Sequence, residues 1–463
     1  MFRVALISEH ASPLTTVGGV DAGGQNVYVA KIAQTLAAAG CGVDVYTRRD
    51  DQALAEIVQW APRLRVIHLD AGPAQPIRKE AMLLHMPAFA HQLCRHIQSD
   101  PSRYAVLHAN FFMSGWAALQ AARRFELPVV TTFHALGRVR RLHQDDSDSF
   151  PDTRLELEDE LVRHSNGIIA KCPQDHADLL EHYAADRRRI DIIPGGFDPR
   201  ELVPIDQRQA RRRLGLPQSA FIVLQLGRVA PRKGIDNVIR GVAQLAAMLA
   251  ADSNAKANTD GAAQRDALRL IIAGGDVPAH EVMHCPEIRR LAGIAQSLGT
   301  DGQVQFFGQC ERTRLALLYS AADVFVTTPW YEPFGITPLE AMACARPVIG
   351  TSVGGIRSTV IDGVTGFLVP PNDPQALAAR LALLHTDPAL GQRLGEAGRA
   401  RALAQYTWPD VVRRLCHVYV RVAAAARHQH RQQAAMATGN GDGSGSGSGR
   451  WNKASDPSPV HAL

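Results

Sequence analysis

The chain of 463 residues is 46% hydrophobic and 21% charged, with a formal net charge of +5, which suits two α/β-sized domains and a tail rather than one domain. No apolar run reaches the ~20 residues of a membrane span, and no aromatics interleave the basic clusters at Arg138, Arg140 and Arg141, Arg187 to Arg189 and Arg211 to Arg213. A nucleic-acid partner is therefore not expected, and only weak contact with anionic lipid or a phosphorylated substrate stays open.

Met1-Phe2-Arg3 leads straight into an apolar strand at Val4–Ile7, without the long apolar core of a signal peptide. Seven scattered cysteines with no Cys-x-x-Cys pair argue for a reducing cytosol, against structural zinc and against a disulfide framework. The loop Gly18-Gly19-Val20-Asp21-Ala22-Gly23-Gly24-Gln25-Asn26 follows the first strand and opens an Ala-rich helix over Val27–Ala39. It is not a G-x-G-x-x-G fingerprint. It reads either as a flexible connection or as backbone that can approach a bound group closely.

Further strands are expected at Val43–Tyr46, Val66–Leu69, Val106–His108, Val129–Phe133, Ile168–Ala170 and Ile190–Ile193, with helices between them. That alternation predicts a parallel sheet covered on both faces. Three features of this half carry chemistry only in the right surroundings. His134 ends a strand, where a lone histidine is usually a satisfied polar residue. Lys79 and Arg154 read as well as exposed helix charges. Asp145-Asp146-Ser147-Asp148 lies in a polar connection and reads as a solvated loop, so no metal site is expected. Pro194-Gly195-Gly196-Phe197-Asp198-Pro199 ends regular structure and reads as a linker.

The pattern then restarts, with strands expected at Phe221–Leu226, Leu268–Ala273, Val304–Phe307, Val324–Thr327, Pro347–Ile349 and Phe367–Val369 and a polar insertion near Ala251–Asp266. Gly227-Arg228-Val229-Ala230-Pro231-Arg232-Lys233-Gly234 sets three cations at a strand end, suited to a diphosphate if they face one cleft. Trp330-Tyr331-Glu332-Pro333-Phe334-Gly335-Ile336-Thr337-Pro338-Leu339-Glu340 sets two carboxylates eight positions apart around a loop that opens a helix. Thr337 reads as its N-cap and Pro338 as its first residue, so the loop amides would converge on an anion. Glu340 then either holds a sugar hydroxyl or closes a capping box with Thr337. Tyr406–Arg427 is helical and apolar-periodic. From Gln432 the chain is low in complexity and expected to be disordered.

The Glu332/Glu340 pair and matching segments from Met1 to about residue 430 resemble the retaining glycosyltransferases of family four, which have the GT-B fold. The likeness is greatest to the branch holding sucrose-phosphate synthases and inositol-phosphate glycosyltransferases. It implies two Rossmann-like domains facing a central cleft, at residues 1–198 and 199–405. A helix at 406–431 would cross back to the first domain, leaving a tail at 432–463. It also implies transfer of a hexose from a nucleotide diphosphate sugar, most simply a UDP-sugar, to a small acceptor, without cofactor or metal. By this resemblance His134, Arg228, Lys233 and Glu332 carry the chemistry. Gly23, Gly24, Phe334, Gly335, Ile336, Thr337 and Glu340 bind the donor, and Asn26, Lys79 and Arg154 the acceptor. Phe111 and Ala135 depart from the pattern, each lacking a hydroxyl that the inositol-phosphate enzymes place near the acceptor phosphate. A nucleotide-sugar 2-epimerase, or a non-catalytic nucleotide-sugar-binding protein on the same fold, is the alternative. Oligomeric state is not legible.

Overall fold

The computed structural model describes residues 2–14, 23–100, 102–144, 150–255, 268–275 and 277–439. Two sheets organise them. The first comprises β1 (Arg3–Ile7), β2 (Gly42–Arg48), β3 (Ile57–Ala61), β4 (Leu64–Leu69), β5 (Val106–Asn110), β6 (Val129–Thr132), β7 (Gly167–Ala170) and β8 (Ile190–Ile192), in spatial order β3-β4-β2-β1-β5-β6-β7-β8. The second comprises β9 (Phe221–Leu226), β10 (Leu268–Ala273), β11 (Val304–Gly308), β12 (Val324–Thr327), β13 (Val348–Thr351) and β14 (Gly366–Val369), in order β11-β10-β9-β12-β13-β14. Both are doubly wound, and every pairing except that of β3 is parallel. Their central strands are buried on both faces, so they read as unbroken apolar runs.

Every expected strand is present. The additional one, β3, pairs antiparallel with β4 at the sheet edge, Ile57 opposite Ile67. It escapes the sequence pattern because it is short, largely exposed and joined to β4 by a tight turn in which Arg63 takes φ 65°.

Strand order fixes where function can sit. Each sheet reverses its winding direction once, between β1 and β5 and between β9 and β12. At such a switch the loops after two neighbouring strands diverge and leave a crevice at their carboxyl ends. The loop carrying Arg228 and Lys233 follows β9, and the loop carrying Glu332 follows β12, so the second switch brings them together.

The linker at 194–199 has no regular strand or helix, only a bridge from Phe197 to Thr407. The last helix starts at Trp408, two residues later than the pattern suggests, and packs back on the first domain as expected. Trp408, Val411, Leu415, Val418, Tyr419 and Val422 join the core built by β1, β2 and the helix Gly24–Ala38. Tyr419 Oη and His108 Nδ1 are hydrogen-bonded at 2.6 Å, tying the helix to β5. This helix runs to Gly439, so 432–439, expected to lack structure, are helical. The rest of the tail, Asp145–Asp148 and the insertion beyond Ala255 lie outside the described residues. No described helix is long and apolar enough to cross a membrane.

Candidate active site

A cleft of about 420 Å³ lies between the two sheets and draws its walls from both. On the second-domain wall, Lys233 Nζ is ion-paired with Glu332 Oε2, and Arg232 Nη1 lies 3.6 Å from the same oxygen. Burial, which outweighs the attraction of Glu332, holds Lys233 below the usual ammonium range. Burial also pushes Glu332 up, but Lys233, Arg232 and the Gly335 amide more than offset it, so the carboxylate stays ionised. Arg228 lines the cleft and has no ion pair among the described residues. Arg228, Arg232 and Lys233 together outnumber Glu332 where these two loops meet.

The helix after that loop spans Ile336–Ala343. Its N-cap is Gly335, at φ 80°, and not Thr337 as the sequence suggested. Pro338 therefore lies inside the first turn. The Gly335 amide serves the Glu332 carboxylate, while no side chain caps the Ile336 and Thr337 amides. Two glycines make the arrangement feasible. Gly335 adopts a left-handed conformation costly for other residues. At Gly354, φ 45°, a Cβ would lie 1.9 Å from the Glu332 carbonyl oxygen, so only glycine lets the neighbouring turn press against the Glu332 loop.

The capping-box reading of Glu340 fails on geometry. Its carboxylate is 4% exposed and accepts from Tyr319 Oη at 2.9 Å, with Arg312 Nη1 at 3.8 Å from its other oxygen. Glu340 lines the cleft, and burial raises its carboxyl pKa. Arg312, which also lines the cleft, bonds to Glu201 just past the linker, and Glu201 pairs with Lys31 of the first domain.

On the opposite wall, Gly23 and Gly24 face the second domain closely. A Cβ at Gly23 would lie 3.7 Å from Arg228 Nη2, and one at Gly24 3.5 Å from Ile336 Cδ1. Asn26 lines the cleft, with its side chain engaged inside the first domain. Its Oδ1 accepts from the Gly23 amide and its Nδ2 donates to the Ser12 carbonyl, each at 3.0 Å. It ties Ser12 to the start of the helix Gly24–Ala38. His134 lines the cleft at φ 60°, with Nε2 3.1 Å from Asn110 Oδ1. Burial, reinforced by the nearby Lys171 charge, keeps its imidazole neutral. Phe111 also carries a positive φ, 94°, so two strained residues sit where β5 and β6 meet the cleft.

Lys79 lines the cleft, as do Phe111, Ala135 and Arg140. Arg154 does not line it. It is 1% exposed, paired with Glu158 at 2.8 Å, bonded to the Ala135 carbonyl at 2.7 Å, and packed under Phe111, Phe112 and Phe150. It is neither an exposed helix charge nor a cleft residue. It supports Ala135 and Phe111 from behind.

Sequence reasoning missed Lys171, Arg312 and the Glu9–His10 pair. His10 Nδ1 sits 2.6 Å from Glu9 Oε1, and the His10 ring meets Phe111 at a centroid distance of 4.9 Å. The available signal was positional, since His10 and Lys171 lie just past β1 and β7.

Two parallel-sheet α/β domains around a cleft with these groups define a GT-B glycosyltransferase. Residues 22–201 match the family model described as "Glycosyltransferase Family 4", and residues 206–401 match "Glycosyl transferases group 1". A D-inositol 3-phosphate glycosyltransferase of Geodermatophilus obscurus is 34% identical over 424 residues, covering 91% of this chain and 90% of that protein. That of Nocardiopsis dassonvillei is 35% identical over 419 residues, covering 90% and 94%. The solved sucrose-phosphate synthase of Thermosynechococcus elongatus superposes with a TM-score of 0.80 at 33% identity, covering 92% of this chain and all of that one. The chain belongs to the family-four glycosyltransferases, enzymes that move a sugar from a nucleotide sugar to an acceptor.

Proposed function

We propose that the protein is a retaining hexosyltransferase of the cytoplasm that uses a UDP-sugar and a small, phosphorylated sugar or polyol acceptor. The observation that carries this reading is the meeting, at one strand switch, of Arg228, Lys233 and an uncapped helix N-terminus with carboxylates on both sides, Glu332 and Glu340. The diphosphate takes Lys233 from Glu332, and Glu332 turns to the sugar hydroxyls. Glu340 holds the ribose. As the bond from the anomeric carbon to the β-phosphate oxygen breaks, negative charge grows on the leaving group. Fixed cations and amides then stabilise the transition state more than the ground state, and losing one such donor costs ~3 kcal/mol of barrier. The acceptor oxygen bonds to the anomeric carbon from the leaving-group face. Its proton passes to the departing phosphate, and neutral His134 positions the sugar. Retention follows from attack and departure on one face.

A phosphorylated acceptor is supported by Lys79 and Arg140 in the cleft lining and by the names of the relatives. The test is a donor-and-acceptor screen read by release of free UDP. Release that depends on an acceptor supports transfer. Release without one, accompanied by an altered free sugar, would establish the 2-epimerase instead. UDP binding with no release from any pair would leave a non-catalytic binding protein.

A further inference from the structure

Lys171 ends β7 and lines the cleft, yet it is 5% exposed and its Nζ has no hydrogen-bond partner among the described residues. The ammonium lies 3.2 Å from the centroid of the Tyr28 ring, and the His134 ring meets the same Tyr28 at 5.1 Å. Lysine and histidine thus share one aromatic support on the first-domain wall, across the cleft from the Arg228–Lys233 loop. The carboxylate close to it is Asp175. Asp175 accepts the main-chain N–H of Lys171 at 3.0 Å and attracts its side chain without hydrogen-bonding to Nζ. Burial pushes Asp175 up to about 7, so it is a weakened counter-ion at neutral pH. The neighbouring Cys172 thiol donates to the Pro333 carbonyl, so this corner also touches the Glu332 loop. Burial holds Lys171 well below the usual ammonium range, and an oxyanion placed against Nζ would restore its charge. Diphosphate chemistry does not need it, since the cations for that lie on the other wall.

We propose that Lys171 is an anion-recognising, specificity-determining residue that takes a carboxylate or phosphate borne by one of the two reacting sugars, beside His134. The inference rests on the glycosyltransferase reading of the cleft. An oxyanion there makes a charge-assisted hydrogen bond with the ammonium, whereas a neutral hydroxyl leaves the charge uncompensated. Discrimination comes from that difference.

The experiment uses the full chain and two matched pairs, UDP-glucuronate against UDP-glucose as donor, and D-inositol 3-phosphate against free inositol as acceptor. Expected is a wild-type preference for the anionic member of one pair. In Lys171→Met that preference, the ratio of the two kcat/KM values, should fall by about tenfold or more. Lys171→Arg should retain most of it. The pair that responds identifies the source of the anion. A merely structural lysine would lower both members of a pair alike and leave the ratio in place. A ratio unmoved by Lys171→Met in both pairs, or no wild-type preference in either, overturns the proposal while UDP binding by calorimetry stands. If the Met variant fails to fold, the wild-type ratios and the Arg variant decide. Absence of UDP binding in the wild type overturns the glycosyltransferase reading itself and this inference with it.

Discussion

Lys233 and Glu332 neutralise each other on the second-domain wall, so a ligand that engages one would release the other. Because charge on the diphosphate grows during bond cleavage, Lys233→Ala should lower kcat more than it weakens donor binding. Arg228→Ala should act in the same direction. The double variant should lose less than the sum if both cations serve one diphosphate, which steady-state kinetics on all three would reveal. Glu340 tests a different contact. Glu340→Ala leaves the buried Tyr319 hydroxyl without its acceptor and should lower stability by about 1–3 kcal/mol while weakening UDP binding. Glu340→Gln keeps an acceptor and should cost much less stability. Calorimetric titration with UDP decides the ligand role, since unchanged affinity in both variants would remove Glu340 from the site. The Asp175 carboxyl, lifted from its ordinary value near 3.8 to about 7, favours the folded state below about pH 4, and this contribution is lost as pH rises through 7. Asp175→Asn should therefore raise the melting temperature little at pH 4 and most above pH 7. A gain independent of pH would show that Asp175 does not titrate in that window.

Elements set what those residues can reach. The helix Ile336–Ala343 starts at a left-handed glycine with no side-chain cap, which leaves its amides available, and the Gly354 turn holds the preceding loop against it. The helix Trp408–Gly439 has the opposite task. It fills the first domain's core with residues from the far end of the chain. Truncation before Trp408 removes several fully buried side chains, each worth roughly 1.5–3 kcal/mol of burial, and exceeds the stability of an ordinary domain. Such a protein should fail to fold, as circular dichroism would show. Deletion of 432–463 should instead leave melting temperature and activity in place, since Arg431, Gln432 and Gln433 are exposed and the remainder has no packable apolar pattern. A large fall in melting temperature would contradict this.

At the scale of the molecule, polar contacts tie the first domain to the linker and to the second domain. Lys31 pairs with Asp198 and Glu201, and the Cys172 thiol donates to the Pro333 carbonyl. A cleft with walls so joined can close on its substrates and exclude water, which limits hydrolysis of the donor. The positive charge facing the donor is built from Arg228, Arg232 and Lys233, so turnover should persist in excess EDTA. Complete loss that magnesium or manganese restores would show that a divalent ion shares the task.

Much of this protein was determined by local sequence. Buried parallel strands read as apolar runs, and turn residues end them, so both sheets, the linker and the last helix were legible. So were the Arg228–Lys233 loop and the Glu332/Glu340 pair, because their spacing is a matter of nearby residues. The tertiary structure decided how each polar group is spent. Asn26 turned inward to its own loop, Arg154 went behind Phe111 and Ala135, Glu340 reached Tyr319 rather than its own helix end, and Thr337 gave up the cap to Gly335. Lys171 emerged as a buried cation in the cleft. Partners such as Tyr319 and Glu340, or Lys171 and Tyr28, are far apart along the chain. They meet only because strand order and helix packing bring them together, and neither propensity nor periodicity encodes that distance.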